Sequence, residues 1–467
     1  MDQVKRYFFC GIGGSGMLPL AMILRAKGHQ VEGSDRALDQ GRTLEKFDYL
    51  RAHGISLFPQ DGSGLTSGEQ ILVASAAVED TVPDVAAALE NDSRRITRAD
   101  LLAELFNKAE VSIAIGGTSG KSTTTGMIGW ILHHAGLSPT VVNGAVMKNF
   151  VSDDAPFASA VLGTGKIFVS EVDESDGSIA YFDATIPVLN NISQDHKTMA
   201  ELRELFGNFI YKAETAVLNL DDEEVVALPK KGRVQNSICY GIENEVADLI
   251  ASNVTPTPRG VNFTVLDYPE NETVQVQLAM PGRHNVSNAL AAMAAAQAVG
   301  LSLKQSAAAL NEFAGIKRRT EVVGTANEIT VIDDFGHNPD KISATLTALH
   351  AYPGRLLVMF QPHGFGPLRL MRKGFVDCFV GHLQGDDVLI MPDPVYFGGT
   401  TNREVSSKDI ASDVTSRGRT AFAFDTREKC GVKLIELARP GDRIVIMGAR
   451  DDTLSDFAAD ILKKVTG

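Results

Sequence analysis

The sequence predicts an α/β protein of three domains, and three observations predict it. Apolar runs of strand length alternate with helix-length runs along most of the chain, which is the pattern of parallel sheets with crossover helices. Two glycine-rich turns, Gly11 to Gly16 and Gly116 to Gly120, each stand between an apolar run and a helix start. The length of 467 residues corresponds to about three domains of ordinary size.

The elements follow in order. In the first domain, residues 1–108, "KRYFFC" is a strand and "GMLPLAMILRAKG" its helix, with "HQVEGSD" and "QILVASAAV" as further strands. The helix "RADLLAELFN" closes this Rossmann-like unit. The second domain, 109–314, opens on the strand "VSIAIG" and continues through "KIFVSEVDESDG", "IPVLNNISQDH" and "TAVLNLDDEEV". Between about 235 and 280 short alternating segments such as "GVNFTVLDY" and "TVQVQLAM" predict a small antiparallel sheet. The helix "HNVSNALAAMAAAQAVG" follows, and "AGIKRRTEVVG" reads as a hinge. The third domain, 315–467, repeats the Rossmann-like theme in "EITVIDDFGH", "RLLVMFQPH", "DVLIMPDPV" and "DRIVIMGARDD". Most of these strands end in polar residues, so ligands are expected beyond the strand ends, in a cleft faced by the three domains.

Composition narrows the function. With 44% apolar and 22% charged residues the chain is an ordinary globular protein. Its formal charge of -14 opposes a general nucleic-acid coat, but not a nucleotide, for which a few local cations suffice. Cys10, Cys239, Cys378 and Cys430 are far apart and read as reduced core residues. The N-terminus has no leader pattern and no run reaches membrane-span length, so a cytoplasmic protein with no membrane partner is expected.

The strongest motif is "GGTSGKSTTT". Gly116, Gly117 and Gly120, with Thr118 and Ser119 between them, let the backbone approach an anion. Lys121 supplies a point charge for the β- and γ-phosphates, and Ser122 is placed to ligate Mg²⁺. The helix that starts through Thr123 adds a favourable partial charge. The loop is one residue shorter than G-x-x-x-x-G-K-[ST], because Ile115 stands where that pattern needs glycine. Downstream, "EVDESDGS" puts Glu171, Asp173, Glu174 and Asp176 at a strand end, and "NNISQDH" puts Asn191, Asp195 and His196 at another. Carboxylates so crowded repel one another without a cation, and Ser122, Glu171 and His196 make a plausible Mg²⁺ site. At the N-terminus Gly11, Gly13 and Gly16 fit G-x-G-x-x-G, with Gly14 and Ser15 at its tip and Asp35 about twenty residues on. By itself that turn suggests NAD, but it can receive any diphosphate.

These blocks, with "GRHNVSNALAA", "KRRTEVVG", "IDDFGHNP" and "FQPH" in the same order, resemble the Mur ligases of peptidoglycan assembly over essentially the full length. Within that family the N-terminal and acidic motifs are most similar to the branch that adds L-alanine to UDP-N-acetylmuramate. The resemblance implies a UDP-sugar-binding first domain, a P-loop-type ATPase second domain, and a third domain bringing the amino acid, the whole a monomer or homodimer. Lys121 would contact ATP; Ser122, Glu171 and His196 would bind Mg²⁺; and His284 and Asn288 would meet the adenine. Asp334 would hold the ribose, and Arg319 would reach the phosphates. Gly11, Gly13, Gly14, Ser15, Gly16, Asp35, Ser75 and Asn143 would line the sugar-nucleotide site. His196, His337 and His363 are the candidates to relieve the incoming amine of its proton. Domain closure about residues 314–319 would keep water from the reactive acyl phosphate.

Some positions depart from the pattern. Ser119 stands where the alanine-adding branch has histidine, and Asn338 where it has a second histidine. Gly364 and Pro367 stand where arginines hold the alanine carboxylate. Arg369 and Arg372 could substitute for them. Alanine held differently, another amino acid, a peptide, or a diverged homologue without ligation all remain open.

Overall fold

The computed structural model describes residues 3–76, 78–194, 197–228, 236–394, 404–449, 451 and 453–466. The chain forms two compact units, one of residues 1–253, 263–276 and 286–314, the other of 254–262, 277–285 and 315–467.

The first unit holds two sheets. The N-terminal one is parallel throughout, in the order Ser56–Phe58, Gln30–Ser34, Arg6–Cys10, Gln70–Ala74, Arg95–Thr97. Its helix Arg98–Phe106 begins with a reciprocal cap between Thr97 and Asp100, which satisfies donors that a helix start leaves free. The larger sheet has ten strands. At its centre Val111–Gly116 lies between the parallel strands Ile167–Glu171 and Ile186–Leu189. The chain leaves Val111–Gly116 toward one side of the sheet and later builds the other, so the turn after it sits at a topological switch point. The strands expected as a small antiparallel sheet inside the second domain, Leu249–Thr257, Gly260–Asp267 and Glu272–Leu278, form one end of this sheet, beyond Asn236–Ile242.

One apolar core serves both sheets. Phe106, from the N-terminal helix, packs edge-to-face on Phe168 at 5.6 Å and on Phe182 at 5.3 Å between ring centroids. Each such pair adds about 1 kcal/mol beyond burial itself. Next to them, Asn107 donates to the Tyr181 carbonyl and accepts from the Asp183 amide, both at 2.9 Å.

The second unit is built on a six-stranded sheet in the order Glu321–Ala326, Ile329–Asp334, Arg443–Gly448, Leu356–Gln361, Val388–Pro392, Thr420–Phe424. All its pairs are parallel except the first, which is antiparallel. Part of the segment read as a hinge is therefore a strand, Glu321–Ala326. Its sequence "EVVGTA" is too short and glycine-broken to declare itself.

The cysteines are free thiols, three buried and Cys239 half-buried. Burial pushes Cys10, Cys378 and Cys430 up to about 12, so they are inert. No helix among the described residues is long and apolar enough to cross a membrane.

Candidate active site

The spacing of the phosphate loop follows from its strand. Ile115 is fully buried and still in register, opposite Val188 on one side and Glu171 on the other. The strand runs one residue further than in an ordinary P-loop, and the turn is shorter by that residue. Two of its glycines are required. Gly117 (φ +132°) would carry a Cβ 3.2 Å from the Asn191 backbone, and Gly120 (φ +81°) would drive one into the Asn288 amide oxygen.

Asparagines hold the turn in place. Asn191 accepts at Oδ1 from the Thr118 hydroxyl and the Ser119 amide, each at 2.9 Å, and donates to the Ser119 carbonyl. Asn190 donates to Thr124 Oγ1 at 2.9 Å, and Thr124 donates to Asn288 at 3.2 Å. Asn219 and Tyr240 brace Asn190 in turn. Of these residues the sequence had singled out Thr118, Ser119, Asn191 and Asn288. The others lie one turn or one strand from a recognised motif and carry no signal of their own.

Lys121 is folded back over the turn. Its Nζ donates to the Gly117 carbonyl at 2.6 Å and to Glu174 Oε2 at 2.7 Å, with lysine and glutamate side chains 19% and 7% exposed. Ser122 Oγ donates to Glu171 Oε2 at 2.8 Å. Gly144 leaves room for that carboxylate, since a Cβ there would overlap Glu171 Oε1. Asn143, buried, donates to the Ser122 carbonyl at 2.9 Å, so it fixes the helix start from behind. Thr123 is buried in the same turn. Burial pushes Asp173 up, but the Ser175 hydroxyl and amide, with the charges of Lys121 and Arg98, outweigh it and hold the carboxyl below its ordinary range.

A hydroxyl and a carboxylate oxygen side by side are the hard donors a magnesium ion takes along with water, so Ser122 and Glu171 fit that ion. The third expected ligand, His196, and Asp195 lie outside the described residues. Among the described residues no three His, Cys, Asp or Glu side chains converge as a metal site.

The N-terminal turn shows the same economy. Gly11 (φ +81°) starts it, and the Gly11 and Ile12 amides donate to the Ser34 carbonyl. The Gly13 amide donates to Asp35 Oδ2 at 2.8 Å, and Asp35 Oδ1 accepts from Ala37 as a helix cap. Asp35 thus sits at the turn, as the sequence suggested, with both oxygens engaged. Gly14 and Ser15 are exposed at the tip, Gly16 is half-buried, and Ser75 follows the strand Gln70–Ala74.

In the second unit, Asp334 is buried. Its Oδ2 accepts from the Thr320 amide at 2.8 Å and its Oδ1 from the Gly336 amide at 2.8 Å and Thr345 Oγ1 at 3.0 Å. The Thr320 hydroxyl also donates to its Oδ2 at 3.3 Å, so a ribose hydroxyl has to displace one of these four bonds. Arg319 lies over the Phe335 ring, 4.8 Å from its centroid. Its neighbour Arg318 is a structural strut, donating to the Gly448 carbonyl at 2.6 Å and the Asp451 carbonyl at 3.1 Å. His337 and His363 stand edge-to-face at 5.5 Å. Burial, helped by the Lys341 charge, pushes His337 down to about 4, so near neutral pH the ring is uncharged and takes up a proton only reluctantly. His284 is exposed at the start of Arg283–Ala298. Arg372 is already held by Asp413 at 2.7 and 2.9 Å, whereas Arg369 is exposed at the end of Phe365–Leu370.

A glycine turn at a sheet's switch point, with a lysine and a hydroxyl–carboxylate pair on its rim, defines a protein built to handle nucleotide phosphates. Family comparison makes the assignment specific. Residues 6–110 match the "Mur ligase family, catalytic domain", 115–296 the "Mur ligase middle domain", and 318–450 the "Mur ligase, glutamate ligase domain". The chain is 35% identical, over 97% of its length and 95% of the relative's, to a UDP-N-acetylmuramate–L-alanine ligase of Novosphingobium aromaticivorans. It is 34% identical, over 96% and 95%, to the protein so named in Geobacter sulfurreducens. The solved UDP-N-acetylmuramate–alanine ligase of Thermotoga maritima shares the fold, with a TM-score of 0.78 at 24% identity over 98% of each chain. A murein peptide ligase of Psychrobacter arcticus matches with a TM-score of 0.70 at 25% identity over 99% of each. The chain belongs to the Mur ligase family, as its sequence blocks suggested.

Proposed function

We propose that the protein is an ATP- and Mg²⁺-dependent ligase joining an amine, L-alanine before others, to the carboxylate of UDP-N-acetylmuramate in the cytoplasm. The observation that carries this reading is the clustering of Lys121, Ser122 and Glu171 on the short glycine turn. The full-length likeness to relatives named for this reaction supports it. Residues 1–108 would hold the sugar nucleotide, 109–314 the ATP, and 315–467 the incoming amine.

Lys121 would exchange Glu174 and the Gly117 carbonyl for the β- and γ-phosphates. Ser122 and Glu171, with His196, would hold magnesium, which when bound supplies charge neutralisation at those phosphates. His284 and Asn288 are assigned to the adenine, Asp334 to the ribose and Arg319 to the phosphates. A substrate carboxylate oxygen bonds to the γ-phosphorus as the bond to the β–γ bridging oxygen breaks, and ADP leaves. The amine nitrogen then attacks the acyl carbon, its proton passes to a base, for which His196, His337 and His363 are the candidates, and phosphate departs.

A second reading, a peptide or other amine acceptor, is favoured by Gly364 and Pro367 and by the engagement of Arg372 with Asp413. A phosphate-release assay decides between them: UDP-N-acetylmuramate and ATP are crossed with amino acids and short peptides. Release with L-alanine supports the first reading and release only with peptides the second; none with any amine refutes both.

A further inference from the structure

Arg98 stands between the two glycine turns, and the reaction as derived so far does not use it. The reciprocal cap of Thr97 and Asp100 fixes its backbone as the first residue of Arg98–Phe106. Its side chain crosses the bare backbone of Gly16: a Cβ on that glycine would stand 2.7 Å from Arg98 Cδ, 3.2 Å from Nη1 and 3.3 Å from Nε. Beyond Gly16 the same side chain lines a cavity together with Lys121, Glu171 and Asp173. The guanidinium thus touches the turn expected to hold the sugar nucleotide and also the space beside the phosphate loop. Among the described residues it donates no hydrogen bond and closes no ion pair. Lys121, by contrast, is neutralised by Glu174. The nearby carboxylates are otherwise engaged, Asp173 by Ser175 and Glu171 by Ser122.

A half-buried guanidinium fork that feels the Asp173 charge but makes no hydrogen bond among the described residues, facing a cavity that already contains the phosphate-binding lysine, suits a planar anion from outside. We propose that Arg98 holds the carboxylate of the sugar-nucleotide substrate and presents it to the γ-phosphate of ATP. This rests on the ligase reading above and adds a residue to it. The acid has to reach the Lys121 side of the cavity while its diphosphate stays on the N-terminal turn, and Arg98 bridges those two places. Gly16 is then glycine because any side chain would push the fork out of the cavity.

The test uses the whole protein and the variants Arg98→Met, which keeps the stem and its packing on Gly16, and Arg98→Lys, which keeps the charge but loses the fork. Two ligands are titrated: UDP-N-acetylmuramate, and UDP-N-acetylglucosamine, which has the same diphosphate but no such carboxylate. Wild type that binds neither and releases no phosphate refutes the ligase reading itself. With wild-type binding in place, Arg98→Met is expected to weaken UDP-N-acetylmuramate by roughly 10- to 100-fold. Arg98→Lys should lose less, UDP-N-acetylglucosamine should change little, and ATP binding should be retained. Equal losses for both sugar nucleotides would overturn the carboxylate assignment, and so would unchanged binding of UDP-N-acetylmuramate.

Discussion

Lys121→Ala tests more than catalysis, because the lysine is also part of the fold. In the free protein its ammonium lies 2.7 Å from Glu174 Oε2, and Glu174 is only 7% exposed. Truncating the lysine leaves a nearly buried carboxylate with its charge uncompensated. Removing one member of a fully buried pair costs about 3–5 kcal/mol, and the 19% exposure of Lys121 lets water make good part of the loss. A destabilisation of about 1–3 kcal/mol is therefore expected, and phosphate release should stop. Adding Glu174→Gln removes the stranded charge, so the double variant should recover most of the stability and none of the turnover. Urea unfolding measures the first quantity and phosphate release the second. If the single variant unfolds at the wild-type midpoint, the ion pair contributes nothing and the energetic argument is wrong. If it still turns over, the lysine is not part of the chemistry.

Other expectations follow from the same geometry. Glu171→Gln should raise the Mg²⁺ concentration for half-maximal phosphate release at least about tenfold, and an unaltered metal titration would remove Glu171 from the site. Gly120→Ala forces a side chain into φ +81° against Asn288; a stability loss of about 1–3 kcal/mol with weakened ATP binding is expected, and wild-type values for both would contradict the loop geometry. His337 has its folded pKa lowered from 6.5 to about 4, so below 6.5 the unfolded chain takes up a proton that the folded one refuses. Stability should fall from about pH 6.5 down to about 4 by at most about 3 kcal/mol. His337→Gln should flatten that part of the pH–stability curve, and an identical slope would show that the ring is not held neutral.

The glycines made the phosphate loop legible, because few other roles put so many between a strand and a helix. The same holds for the strands, whose apolar runs stop where the structure stops them, as at Gly116 and Glu171. What escaped the sequence was either too short or dependent on tertiary contact. Glu321–Ala326 becomes a strand only because Ile329–Asp334 is there to pair with it. Asn190 braces the loop only because Thr124 comes within 2.9 Å through the fold. Lys121 looked like a phosphate ligand and nothing else; its partnership with Glu174 spans 53 positions of chain. Arg98 is an unremarkable residue at a helix start, and only its crossing of Gly16 gives it a meaning.

The Phe106–Phe168–Phe182 cluster and the Asn107 clasp bear on how the molecule can be divided. A fragment ending at residue 108 would take Phe106 away from the rings that cover it, so severing the chain there should yield two sticky pieces instead of two working modules. The glycine loops at Gly11 and Gly116 thus share one chassis, and the spacing between them is set during folding, before any ligand arrives.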